Sequence, residues 1–130
     1  MQPSFSEPFP ILSVRDLPQT VAFYQDCFGF AVGYQWPPDA PVEEVEFIVL
    51  QLGEHAVGFG KETSVSERVT WSGIQLCIRV DDIHRAWDWL MQRQATSVES
   101  PMRQPWDEWS AVVADPNGIR VMLYAPMATT

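Results

Sequence analysis

Cysteine and histidine are scarce in this chain, with two of each in 130 residues. Two cysteines, Cys27 and Cys77, are too few for a disulfide framework, and they lack the close spacing of a structural zinc site. The expectation is two reduced thiols in a cytoplasmic protein. Basic residues are also few. Eight Lys and Arg stand against 17 Asp and Glu, a formal net charge of −9. Such a surface repels phosphate backbones, so no nucleic-acid partner is expected, whereas a cationic ligand would be favoured at long range. No apolar run approaches the roughly 18–20 residues of a membrane span, and none is expected. The opening Met-Gln-Pro-Ser-Phe-Ser-Glu has neither a basic region nor an apolar run, so no secretory leader is expected. The seven glycines form no phosphate loop.

What is abundant is apolar and aromatic side chain. Hydrophobic residues make up 46% of the chain and six are tryptophan. That suffices for one compact domain spanning residues 1–130, with a sizeable core and no covalent staples. Six tryptophans are too many to leave in water, so some line a core or a pocket.

The chain repeats itself. Val14-Arg15-Asp16-Leu17 resembles Val80-Asp81-Asp82-Ile83 about half a chain length later. Leu17, Val21, Tyr24 and Phe28 form one helical stripe, and at the same offset Ile83, Trp87 and Leu90 continue it until Gln94. In each copy a strand, 9–14 or 74–80, runs into an acidic residue. Asp16 suits a helix N-cap, with Gln19 placed for a capping box and Pro18 in the first turn. Asp82 can cap the second helix. The helices are expected at 17–28, stopping at Gly29, and at 83–94. Strands should follow at 31–36, 44–52 and 56–60, then at 96–100, 109–114 and 119–124. Residues 47–50 suggest burial on both faces. Gly53-Glu54 and Asp115-Pro116-Asn117-Gly118 mark hairpin turns. The fold class is α+β, with two tandem βαβββ modules, about 7–62 and 72–126, joined by a linker at 61–72.

Pro10-Ile11-Leu12-Ser13-Val14-Arg15-Asp16-Leu17, Val21-Ala22-Phe23-Tyr24 and Phe28-Gly29-Phe30 together resemble the opening of glyoxalase/bleomycin-resistance/extradiol-dioxygenase (vicinal oxygen chelate) proteins. Gln104-Pro105-Trp106 and Asp115-Pro116-Asn117-Gly118 resemble the closing hairpin of the bleomycin-resistance branch. Where that branch follows its Trp with Gly and then Arg-Glu-Phe, this chain has Asp107, Glu108, Trp109, Ser110 and Ala111. The resemblance implies a curved mixed sheet around a cavity. It also implies a homodimer, and leaves open whether modules pair within a chain or exchange between chains.

The same resemblance locates the four inward-facing positions that hold metal in the family's enzymes. The first lies seven residues before each helix cap, which gives Phe9 and Gln75. The last strand contributes Met122, four residues after Gly118, and its first-module partner falls at Val57, Gly58 or Phe59. One carboxamide among such residues cannot hold a hard divalent ion, so no metal and no other cofactor is expected. His55, at a hairpin start, and His84, in the first turn of helix two, read as surface residues. Ser13 and Ser72 have no evident histidine partner, so no catalytic residue is assigned.

Strand alternation then fills the cavity. With Phe9 go Ile11 and Ser13; with Gln75 go Cys77 and Arg79; with Met122 go Arg120 and Tyr124. An aromatic ring from Phe47 or Phe59 joins them, and Trp36, Trp106 and Trp109 stand near the mouth by family resemblance. Trp87 and Trp89 are expected in the packing of helix two. An aromatic pocket with few polar handles suits a flat organic ligand, and Asp107 and Glu108 beside Trp106 would attract a cation. The reading is a non-enzymatic protein that sequesters an aromatic DNA-targeting antibiotic, bleomycin-like or another intercalating peptide drug, and so confers resistance. The alternatives are a divergent glyoxalase- or dioxygenase-type metalloenzyme and a regulatory domain with a vestigial cavity.

Overall fold

The structure, a computed structural model, describes residues 2–62, 71 and 73–127. The strands are β1 (Ile11–Val14), β2 (Ala31–Trp36), β3 (Phe47–Leu52), β4 (His55–Lys61), β5 (Gln75–Arg79), β6 (Thr96–Arg103), β7 (Glu108–Ala114) and β8 (Arg120–Pro126). The helices are α1 (Leu17–Phe28) and α2 (Ile83–Gln92). The chain divides into two compact units, Met1–Ser64 and Val65–Thr130. Each has the order βαβββ and its own four-stranded mixed sheet, β1-β4-β3-β2 and β5-β8-β7-β6. In each, the first strand pairs in parallel with the last and the remaining pairs are antiparallel. The expected linker lies mostly outside the described residues, as does Ser72; Trp71 is partly buried.

Local chemistry sets the helix ends. The Gln19 backbone N–H donates to Asp16 Oδ1 at 2.9 Å, and those of His84 and Arg85 donate to Asp82 Oδ1 at 3.1 Å. Gly29 closes α1 at φ 78°, its N–H donating to Gln25 O at 3.0 Å while Phe30 N–H reaches Tyr24 O at 3.2 Å. α2 stops two residues short of the expected 94. Gln94 takes the left-handed conformation, φ 61°, and Ala95 N–H bonds back to Leu90 O at 3.1 Å. Glutamine thus takes the left-handed place that Gly29 holds after α1, with bonds that each span one residue fewer.

Each helix covers one face of its sheet. Leu17, Val21, Tyr24 and Cys27 pack on Leu12, Val14, Ile48, Leu50, Val57 and Phe59 in the core of the first unit. Rings concentrate there: Tyr24 lies 5.1 Å from Phe59, 5.6 Å from Phe30 and 5.1 Å from Phe23, centroid to centroid. In the second unit Ile83 and Leu90 are buried together with Ala111, Val113, Val121 and Leu123. Trp87 is only partly buried. Trp89 departs further from expectation. It is 47% exposed, with the Arg93 guanidinium 3.0 Å from its ring centroid, so a cation covers it in place of core.

The strand expected at 44–52 is shorter, because Pro41 opens a 3-10 turn over Val42–Glu44 and pairing resumes at Phe47. Its residues alternate: Ile48 and Leu50 are buried under α1, whereas Phe47 and Val49 are partly exposed on the other face. β6 runs on to Arg103, with register shifts between Ser97 and Glu99 and between Glu99 and Met102. Asp115 holds the last hairpin. Its Oδ1 accepts from the backbone N–H groups of Asn117 and Ile119, both at 2.8 Å, and Gly118 completes the turn at φ 88°.

Candidate functional site

Cross-strand partners share a face, so the register identifies what each sheet presents on the side away from its helix. In the first unit, Ile11 pairs with Gly58 and Ser13 with Gly60; these glycines pair with Val49 and Phe47, and those in turn with Tyr34 and Trp36. Small residues on β4 leave room for large ones beside them. A methyl group built on Gly58 would sit 3.3 Å from Cε2 and Cζ of Phe47 and 3.1 Å from Cγ1 of Ile11. The Phe47 ring therefore lies against bare β4 backbone. Tyr34 stands beside it, centroids 6.2 Å apart and planes at 57°.

Above this platform is a recess of about 710 Å³, lined by Glu7, Pro8, Phe9, Pro10, Tyr34, Phe47, Val49, Gln51, Glu54, His55 and Ala56. Residues 7–10 form one wall as an arm in which Glu7 takes the left-handed conformation, φ 55°, and which is tied down where Gly58 N–H donates to Pro10 O at 2.8 Å. The β3–β4 turn supplies Glu54 and His55. Gln51 folds over Gly33, where a Cβ would come within 2.7 Å of its Cδ. The loop after β2 is held by Gln35, whose Nε2 donates to the carbonyls of Pro37, Pro38 and Ala40 at 3.0–3.2 Å. The lining offers three aromatic rings, two carboxylates and one imidazole, and neither Lys nor Arg.

In the second unit, Gln75, Cys77 and Arg79 on β5 face the same way as their β8 partners Arg120, Met122 and Tyr124, and as Val112 and Ser110 on β7. Gln75 Nε2 lies 3.6 Å from Met122 Sδ and 4.0 Å from Cys77 Sγ. Ser110 is buried and accepts from Gln104 Nε2 at 2.7 Å. Trp106 stands at the tip of the β6–β7 hairpin, 60% exposed, on a turn closed by Gln104 N–H to Glu108 O at 2.7 Å. Asp107 beside it adopts φ 63°.

Of the residues singled out from sequence, Phe9 and Phe47 meet in the recess. Trp36, at 52% exposure, extends the same face from the end of β2. Gln75, Met122 and Tyr124 share the helix-free face of the second sheet. Two do not reach such a face. Phe59 is fully buried against Tyr24, because its register partners Leu12 and Ile48 both point under α1. Trp109 pairs with Ala125 and meets His84 of α2 at 4.9 Å, edge to face, so it packs on the helix side. Sequence reasoning missed Tyr34, Glu7 and Glu54. Tyr34 was open to discovery, lying two residues before Trp36 on one strand.

The residues at the family's metal positions do not fit a metal. Phe9 has no donor atom, Gly58 is the β4 residue on the helix-free face, and Gln75 and Met122 add one amide and one thioether. Hard divalent ions need several oxygen or nitrogen donors in one place. Among the described residues no group of three His, Cys, Asp or Glu converges.

Residues 9–123 match the family described as the Glyoxalase/Bleomycin resistance protein/Dioxygenase superfamily. The chain belongs to this superfamily. Solved structures share its fold at low identity. A bleomycin resistance determinant encoded on transposon Tn5 is 22% identical, with a TM-score of 0.69 over 95% of this chain and 100% of that one. TioX from Micromonospora sp. ML1 is 19% identical, with a TM-score of 0.74 over 95% and 100%. A glyoxalase/bleomycin resistance protein/dioxygenase from Nocardioides is 15% identical, with a TM-score of 0.72 over 98% and 89%. No curated protein matches the sequence.

Proposed function

We propose that this superfamily member is a metal-independent binding protein that sequesters a flat aromatic antibiotic, bleomycin-like or another DNA-intercalating peptide drug, without altering it. The observation that carries this reading is the aromatic recess over the glycine-backed Phe47 ring, in a chain whose metal positions offer only one amide and one thioether. Sequestration needs burial and ring stacking, both of which the recess offers, and no nucleophile or Lewis acid. The likeness to a bleomycin resistance determinant agrees with it. No helix of the described residues is long and apolar enough to cross a membrane, and a cytoplasmic site of action is part of the proposal.

The proposal includes a homodimer. Ile11, Met122 and Tyr124 lie on sheet faces that their own helices leave uncovered, Phe9 stands exposed on the arm before β1, and a twofold pair is the commonest way to bury such surface. Sedimentation showing only monomer above micromolar concentration would exclude it. The binding test is titration of tryptophan fluorescence with bleomycin and with quinoline- or quinoxaline-bearing peptides, followed by mass spectrometry of the recovered drug. Saturable binding and unchanged mass are expected. A drug that gains or loses mass would point to an enzyme, and absence of binding at micromolar levels would end the sequestration reading.

A further inference from the structure

Resting on that reading, we infer that the recess of the first unit takes a planar heteroaromatic cation, its ring stacked on Phe47 and its positive charge set between Glu7 and Glu54. The recess presents a rigid aromatic floor and a rim of one sign. Phe47 is backed by the β4 backbone at Gly58 and flanked by Tyr34, so its ring is held in place before any ligand arrives. Phe9 lines the opposing arm.

The two carboxylates come from different places, Glu7 from the arm before β1 and Glu54 from the β3–β4 turn, and both line the same space. No Lys or Arg lines it to neutralise them; His55 is the one basic side chain there. The ion pair of Arg120 with Glu99 belongs to the second unit. Glu7 and Glu54 are both exposed, so beside a neutral ring their carboxylates would stay in water and add nothing to its binding. A ring carrying a positive charge gains the ring quadrupole on its face and the carboxylates at its edge. The net charge of −9 acts in the same direction at longer range.

The test compares two probes of one outline, 10-methylacridinium and 9-methylanthracene, in which carbon replaces the cationic nitrogen. Both are titrated into the full chain by fluorescence at low and high salt. The cation is expected to bind at least tenfold more tightly, with the advantage shrinking as salt rises. Glu7→Gln and Glu54→Gln should each weaken the cation several-fold, leave the neutral probe unchanged, and keep the wild-type circular dichroism spectrum. Equal binding of the two probes, or glutamine variants that retain the preference, would overturn the inference while the sequestration reading stands. Loss of the preference on Asp107→Asn or Glu108→Gln instead would move the cation site to the β6–β7 hairpin and also overturn it. If neither probe binds but the antibiotics do, only the inference falls; if nothing in either panel binds, both fall.

Discussion

Replacing Gly58 with alanine separates ring placement from fold stability. The added methyl would lie 3.1 Å from Ile11 Cγ1 and 3.3 Å from two carbons of the Phe47 ring, closer than ordinary van der Waals contact. Two effects on stability oppose each other. Alanine narrows the unfolded ensemble and gains about 0.4–1 kcal/mol where the backbone allows it, and Gly58 has no positive φ to forbid it. Crowding in a tightly packed core costs roughly 1–3 kcal/mol. Phe47, however, is partly exposed and borders the recess, so its ring can move by a few tenths of an ångström into free space. The net change in stability should stay within about 1 kcal/mol in either direction, small beside the 5–15 kcal/mol typical of a whole domain. Binding should respond differently. A ring lifted from the strand loses part of a stack worth roughly 0.5–1.5 kcal/mol, a weakening of about two- to tenfold. Urea unfolding reads the first quantity, and titration with the acridinium probe or bleomycin reads the second. A variant that binds as tightly as wild type would refute the Phe47 platform. A stability loss of about 3 kcal/mol or more would show that the ring cannot yield to the added methyl, so that the substitution acts through the fold and does not separate ring placement from stability.

Three further outcomes are expected. Trp106→Ala removes a ring that is 60% exposed at the tip of the β6–β7 hairpin and should weaken antibiotic binding by roughly 1–3 kcal/mol, measured by calorimetry because a fluorophore is removed. Asp115→Ala deprives two backbone N–H groups of a 2.8 Å carboxylate partner, one of them buried, and should cost about 2–4 kcal/mol, seen as a lower urea midpoint at unchanged slope; Asp115→Asn, which keeps one acceptor, should cost less. Protein purified without chelator should carry no stoichiometric zinc, nickel, iron or manganese; about one equivalent by elemental analysis would contradict the donor argument at Phe9, Gly58, Gln75 and Met122.

The parts of the fold legible in the sequence are those fixed by local chemistry. α1 begins after Asp16 and ends before Gly29, as a capping carboxylate and a left-handed glycine dictate. The end of α2 was hidden because Gln94 takes the left-handed position that glycine usually signals. The late start of β3 was hidden because Glu44, Val45, Glu46 and Phe47 alternate acidic and apolar as extended backbone does, while Glu44 closes a 3-10 turn. Trp89 sits at the position of Phe23 in the repeat, but Arg93 one turn later provides a covering that the repeat could not announce.

The site was less legible because face assignment depends on register, and register is not local. Alternation within a strand groups Ile11 with Ser13, but the strand expected from residue 9 begins only at Ile11 and leaves Phe9 on the arm before it; nor can alternation choose between Phe47 and Phe59, which lie on different strands. The pairing makes that choice: Ile48 opposite Phe59 and Phe47 opposite Gly60 send the two rings to opposite sides of one sheet. A one-residue slip in the β3–β4 hairpin would bring both rings to one face. Trp109 follows the same rule, its side set by the Asp115 turn that places it opposite Ala125. Glu7 and Glu54 were invisible for another reason. Each is a lone carboxylate, Glu7 between Ser6 and Pro8 and Glu54 in the turn between Gly53 and His55, where solvent is its ordinary fate. What gives them a role is the aromatic floor between them, and that floor exists only because Gly58 leaves Phe47 room to lie flat.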